Sequence, residues 1–193
     1  CIQGMQEAIT KGYEFIQETD WLILTLGSSV VYRLKESGRV VANCHKMPPT
    51  LFEKEALTFE KMKEPLAEAL RCIKLLRPTL HCIVTVSPVR YIRNSFEENS
   101  YSKANLRILA YHLCERFDWV FYFPAFEIMM DDLRDYRFYA TDRIHPSTEA
   151  VDYIWHCFSE TYFNEETQRT VLVLGHSLVY WNHIHGCRIY FGF

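Results

Sequence analysis

The chain has 193 residues, 49% of them hydrophobic and 15% aromatic, enough for one core that buries roughly 70% of the unfolded surface. Charged residues make up 23%, seven Gly and seven Pro are dispersed, and no low-complexity run occurs, which excludes disorder, collagen and repeat arrays. Twenty-one basic and twenty-four acidic side chains are interspersed with a net charge of −3, leaving no basic stripe of the kind nucleic acid requires.

Residue 1 is Cys, and Ile2, Met5, Ile9, Gly12 and Ile16 already follow helical spacing, so a fragment opening inside a helix is expected. Thr19-Asp20 stops that helix. Trp21 to Leu26 is a short apolar run ending at Gly27, which reads as a strand buried on both faces. Residues 30–34 and 40–43, joined across Glu36-Ser37-Gly38, form an inserted hairpin. From Phe59, the residues Met62, Leu66, Leu70, Ile73 and Leu76 repeat at helical spacing, with Pro65 in the first turn of the regular helix and Arg77-Pro78 ending it. Residues 80–86 make a second buried strand that closes at Ser87-Pro88. After a polar loop, Leu106, Leu109, Ala110, Leu113 and Phe117 mark another helix, and residues 119–123 a third strand stopped by Pro124. The last clear helix starts around Pro146-Ser147 and carries Val151, Ile154, Trp155, Phe158 and Tyr162 inward.

Strands alternating with helices specify an α/β domain, a three-layer α/β/α arrangement around a parallel sheet with right-handed crossovers. No linker divides residues 1–168, and residues 169–193 form an irregular tail. In such sheets ligands sit beyond the carboxyl ends of the strands. That rule points to Gly27-Ser28-Ser29, to Ser87-Pro88-Val89-Arg90 and to Pro124-Ala125.

Seven cysteines lie at least ten residues apart with no CxxC pair, so zinc-ribbon and disulfide-scaffold readings fail. Cys72, Cys82, Cys114 and Cys157 fall in apolar patterns and are expected as small buried hydrophobes; free thiols favour a reducing, cytoplasmic setting. The apolar stretch 171–193 is broken by His176, Asn182, His183, His185 and Arg188 and is not a membrane span. Within it, Leu174-Gly175-His176-Ser177-Leu178 departs from the GxSxG nucleophile elbow, because Val179 stands where Gly is needed.

The strongest chemical signal is Thr141-Asp142-Arg143-Ile144-His145-Pro146-Ser147. A carboxylate three residues before an imidazole can bond one ring nitrogen, fix the tautomer and leave the other nitrogen as a general base. With an ordinary pKa of about 6.5, histidine suits that task near neutrality. The bland alternative is a capping contact. Its place after the third strand favours chemistry.

Several short motifs together resemble the GSCFA-domain family, a branch related to the SGNH/GDSL esterases. They are Leu24-Thr25-Leu26-Gly27, Val41-Ala42-Asn43-Cys44-His45-Lys46, Thr85-Val86-Ser87-Pro88-Val89-Arg90, Glu98-Asn99-Ser100 with Ser102-Lys103, Tyr122-Phe123-Pro124 with 126–131, residues 133–139, and 142–147. The resemblance covers about residues 20–168. It implies a flavodoxin-like SGNH-hydrolase fold, here partial, and a serine nucleophile from an early block. It further implies oxyanion donors from backbone and Asn, and Asp142 and His145 as the late Asp-His pair.

Two departures bear on chemistry. No Gly-Ser-Cys-Phe-Ala block occurs in the 193 residues, so the nucleophile is expected upstream of Cys1. The third SGNH block, Gly-x-Asn-Asp, falls at Gly27, but Ser29 fills its Asn position; Asn43 is the candidate substitute donor, or a residue that ends a hairpin strand. Gly27 and Ser28 are candidates for oxyanion binding, with a simple turn as the other reading of Gly27. His45 is a candidate substrate contact or a solvent-facing loop residue. Adjacent Cys44-His45 is an uncommon ligand spacing, and neither metal nor cofactor is expected.

Arg90 suits a carboxylate or sugar hydroxyls, or pairs with the acidic residues of 131–137, themselves expected as a mutually paired, solvated segment. His81, His112 and His156 are expected to be structural. The sequence therefore predicts a serine esterase or acyl-transfer domain acting on a small-molecule or acylated-carbohydrate ester. The alternative is a non-catalytic carbohydrate-binding domain of the same fold, with Tyr136, Phe138 and Tyr139 as stacking surfaces.

Overall fold

A computed structural model of the chain describes residues 2–41, 44, 47–92 and 95–174. Helix α1 (Ile2–Glu18) leads into β1 (Trp21–Leu26), followed by β2 (Val30–Leu34), β3 (Val40–Val41) and β4 (Phe52–Ala56). Then come α2 (Phe59–Leu76), β5 (His81–Val86), α3 (Phe96–Arg116) and β6 (Val120–Phe123). A short helix α4 (Ala125–Glu127) continues as a π-helical stretch (Ile128–Leu133), and α5 (Thr148–Tyr162) and α6 (Glu165–Leu174) complete the order. Helix α6 spans position 168, and residues 175–193, including Ser177, lie outside the described residues.

The principal sheet is parallel, in the order β1-β5-β6, with Trp21 opposite His81 and Cys82 opposite Val120. Both crossovers step the same way across the sheet, so right-handed connections bring α2 and α3 to one face. There Leu22, Leu24 and Leu26 of β1, Cys82, Val84 and Val86 of β5, and Val120 and Tyr122 of β6 meet Leu70, Leu106, Leu109 and Leu113. The alternate positions Ile23, Ile83 and Phe123 meet Ile154, Trp155 and Phe158 of α5 on the other face. The two-residue period of each strand thus serves two helical layers.

Only the central strand β5 is buried nearly throughout; Trp21 is 47% exposed and β1 is an edge strand among the described residues, which corrects the reading of it as buried on both faces. The inserted hairpin is larger than expected. β4 joins as a third, antiparallel strand in the order β3-β2-β4, with Val30 opposite Ala56 and Leu34 opposite Phe52. Its charged residues face solvent, where Glu55 meets Arg33 and Lys61.

Pro65 lies inside α2, because that helix begins at Phe59. Helix α3 begins ten residues before Leu106, at Phe96, where the Ser95 side chain accepts a hydrogen bond from the Glu98 amide at 2.9 Å. The polar stretch before Leu106, expected as a loop, is therefore its first half. Of the thiols expected in the core, Cys82 is buried, Cys114 and Cys157 are partly buried, and Cys72 is exposed beside Glu68. His81 stacks on Trp21 at 4.7 Å and His112 stands edge-on to Phe59 at 5.3 Å. His156 is on the surface, 3.3 Å from Glu160. No helix among the described residues is long and apolar enough to cross a membrane.

Leu113 is fully buried between α3 and the sheet, whereas Leu75 is 80% exposed. Leu113→Ala is expected to lower the unfolding free energy by about 2–5 kcal/mol. Leu75→Ala is expected to change it by under about 0.5 kcal/mol, both read by urea denaturation.

Candidate active site

The helical stretch after β6 packs Met129 and Leu133 with Phe138 and Ala150, the latter in α5. This seats the connecting segment, residues 139–147, against the domain. Tyr139 and Pro146 form a β-bridge, the Ala140 amide donates to the His145 carbonyl at 2.8 Å, and the Arg143 amide donates to the Ala140 carbonyl at 2.9 Å. Arg143 turns the chain with φ 56, a left-handed conformation uncommon outside glycine. Ser147 then caps α5 by accepting from the Ala150 amide at 3.3 Å.

On this tight loop the imidazole Nδ1 of His145 is 2.6 Å from Oδ2 of Asp142, and Oδ1 of Asp142 accepts from the amides of Ile144 and His145 at 2.8 and 3.0 Å. The His145 bond, followed by the two amide bonds, lowers the Asp142 carboxyl from 3.8 to about 2. It is consequently an acceptor-only carboxylate at neutral pH, so the short contact needs an imidazole proton on Nδ1 and points Nε2 away from the carboxylate. The stabilisation from this depressed pKa is present above about pH 4 and fades as the pH falls toward 2. Both side chains remain open to solvent, 55% for His145 and 44% for Asp142.

The loop is fastened to the carboxyl side of β5. The Arg90 amide donates to the Ile144 carbonyl at 3.2 Å, and Nη1 of Arg90 reaches the Arg143 carbonyl at 3.4 Å. Arg90, Asp142 and His145 are thus brought together. Arg90 makes no ion pair with residues 131–137; its guanidinium lies over the rings of Tyr139 and Tyr136, at 4.5 and 5.3 Å. This corrects the pairing alternative for Arg90. Nor is that acidic segment mutually paired: Asp132 accepts from the Tyr153 hydroxyl at 2.5 Å, and Asp135 accepts from the Arg137 amide at 2.9 Å.

Gly27 joins this group through Tyr91, the neighbour of Arg90. A Cβ at Gly27 would stand 3.0 Å from the Tyr91 hydroxyl, the tip of a half-exposed side chain. The Ser28 hydroxyl accepts from the Val30 amide at 3.1 Å and lies 3.5 Å from that of Ser102. No hydrogen bond among the described residues joins Ser28 to His145. Asn43 and His45 lie outside the described residues.

A family model for the GSCFA family matches residues 1–158. The chain belongs to the GSCFA family. The match takes in α1, ahead of the span 20–168 over which the motifs resemble the family, and ends within α5. No curated protein and no solved structure matches the chain.

In this GSCFA-family chain, sequence reasoning missed the residue that joins the strand ends. Lys103 of α3 is 2% exposed, and its ammonium donates to the Gly27 carbonyl at 2.8 Å and the Ser87 carbonyl at 2.6 Å, one at the end of β1 and one at the end of β5. Its neighbour Ser102 accepts from the Ser29 amide at 2.8 Å, and Asn99 accepts from the Tyr91 amide at 2.8 Å. The available signal was Lys103 standing in register with Leu106, Ala110 and Leu113, a charge on the buried stripe.

Burial pulls the Lys103 ammonium from 10.5 down to about 8. Below pH 8 it is charged whether folded or unfolded, and the folded protein bears the desolvation cost. Between 8 and 10.5 the unfolded chain binds more protons, so this group makes stability rise with pH. The stability of the native chain relative to Lys103→Met is expected to grow over that interval, by up to about 1.4 kcal/mol per pH unit. Urea denaturation across the range checks it; a pH-independent difference would show that the ammonium is unperturbed.

Proposed function

We propose that the chain carries the acid–base part of a serine esterase or acyl-transfer domain of the SGNH type, acting on an ester such as an acylated carbohydrate. The observation that carries this reading is the 2.6 Å contact between His145 Nδ1 and Asp142 on a solvent-open loop tied to the end of the central parallel strand. A hydrolytic histidine needs this arrangement, with one nitrogen oriented by a carboxylate and the other free. The nucleophile in the proposal is the serine of the Gly-Ser-Cys-Phe-Ala block.

In the first step the serine oxygen forms a bond to the ester carbonyl carbon while its proton passes to His145 Nε2. The resulting imidazolium is stabilised by the Asp142 carboxylate. The carbonyl π pair moves onto oxygen, and the resulting oxyanion is taken up by backbone amides near Gly27 and Ser28 with the Asn43 amide. Collapse breaks the bond to the leaving alcohol, which receives the proton from His145. Water, or an acceptor alcohol in acyl transfer, then repeats the sequence in reverse and frees the serine.

The test uses a chain that includes the Gly-Ser-Cys-Phe-Ala block, assayed with p-nitrophenyl acetate and with a fluorophosphonate probe. His145→Ala is expected to lower kcat by roughly 10⁴ to 10⁶, and Asp142→Asn by about 10⁴, through loss of the tautomer. Full activity in His145→Ala would overturn the reading. Absence of covalent labelling together with measurable glycan affinity would favour a binding domain instead, for which Tyr136, 60% exposed beside Arg90, is the supporting surface.

A further inference from the structure

Next to the Asp142–His145 loop lies a small cavity of about 50 Å³, floored by Met129 and bordered by Arg90, Arg134, Asp135, Tyr136 and Tyr139. A water occupies about 30 Å³ of liquid, so the space suits one carboxylate-sized group and not a sugar ring. The charges around it are unbalanced. Arg33, Arg71, Arg77, Arg107, Arg116 and Arg169 each meet a carboxylate. Among the described arginines, Arg39, Arg90, Arg134, Arg137 and Arg143 meet none, and two of these five, Arg90 and Arg134, border the cavity. Of the carboxylates close by in the chain, Asp142 holds His145 and two amides, Asp132 takes the Tyr153 hydroxyl, and Asp135, itself on the cavity border, caps the Arg137 amide.

The cationic wall is also held in place. The guanidinium of Arg90 lies over two tyrosine rings, hydrogen-bonds the Tyr139 side chain and makes a long bond to the Arg143 carbonyl at 3.4 Å, which leaves some of its five N–H donors uncommitted. Arg134 stands at φ 46 where the π-helical stretch ends, a left-handed conformation uncommon outside glycine. Strain of this kind, kept beside a cavity, accompanies ligand sites. A stacked, planar guanidinium with free parallel donors matches a carboxylate bidentately.

We propose that this cavity is an anion subsite in which Arg90, assisted by Arg134, binds a carboxylate of the substrate, so that the site selects esters borne on an acidic molecule over neutral ones. The substrate assignment rests on the esterase reading above; the binding of a carboxylate does not. With its acid group held against Arg90, a bound molecule lies beside the loop that carries His145. The subsite thereby serves specificity and takes no part in the proton transfers.

The experiment is a titration of the 193-residue chain followed by NMR of the arginine Nε–H groups and the tyrosine rings, with D-glucuronate, its neutral methyl ester and D-glucose as probes. Saturable shifts at Arg90, Tyr136 and Tyr139 are expected with glucuronate alone. Arg90→Lys, which loses the fork and the stacking, is expected to weaken glucuronate by about tenfold. Arg134→Gly, which relieves the left-handed backbone and so guards against misfolding, is expected to weaken it several-fold. Equal shifts with the methyl ester, no saturable shift with glucuronate, or unchanged affinity in Arg90→Lys would overturn the proposal. Glucuronate binding without fluorophosphonate labelling of the block-containing chain would remove the esterase reading and keep the subsite; labelling without binding would do the opposite.

Discussion

Two backbone carbonyls, those of Gly27 and Ser87, share one ammonium. They sit where β1 and β5 end side by side, and at such an edge a parallel sheet presents carbonyls whose partners have run out. Here α3 brings Lys103, 2% exposed, against the edge, and it supplies the donors. A buried ammonium is costly unless its donors are satisfied. Two short bonds to carbonyls, together with the Tyr91 and Phe126 rings at 5.2 and 5.9 Å, offset that cost without a carboxylate. The result is a further tie, beside the bond from the Ser87 amide to the Leu26 carbonyl, between the turns that follow β1 and β5, and Tyr91 and Arg90 follow directly from the second of them.

From Arg90 the order passes to the Asp142–His145 loop through the Arg90–Ile144 backbone bond. The loop also closes on itself, with a β-bridge, a turn through the left-handed Arg143 and two amides held by Asp142. Asp142 therefore does two jobs with its two oxygens: Oδ1 shapes the backbone and Oδ2 orients the imidazole. The capping contact and the imidazole contact, read from sequence as alternatives, coexist in the same side chain. That explains why a carboxylate with 44% of its side chain exposed is nonetheless held in one geometry.

The parallel sheet was legible because its strands are short apolar runs with a helix between each pair, and the register follows. The edges of elements were less so. β4 reads Phe-Glu-Lys-Glu-Ala, and its charges conceal a strand whose partner, β2, is known only from tertiary pairing. Helix α3 hid its first half because Ser102, Lys103 and Asn105 occupy buried positions that hydrophobic periodicity expects to be apolar; yet Ser95 three residues before Glu98 is a capping-box signal at its true start. The Asp142–His145 spacing could be read directly, since three residues suffice to close the contact. The Lys103 staple could not, because its acceptors are 76 and 16 residues away and backbone carbonyls leave no mark in the sequence.

The arginines illustrate the same limit from the electrostatic side. Residues 131–137 hold three acidic and two basic side chains in close succession, so that composition suggests internal pairing, and a net charge of −3 offers no hint of a cationic site. Charge balance along a chain does not impose balance in space. Hydrogen bonds to an imidazole, a tyrosine and a set of amides engage the nearby carboxylates, while aromatic rings rather than anions support Arg90. A guanidinium stacked on tyrosine keeps its charge and its in-plane donors, so cationic side chains stand beside the Asp142–His145 loop although the whole chain is acidic.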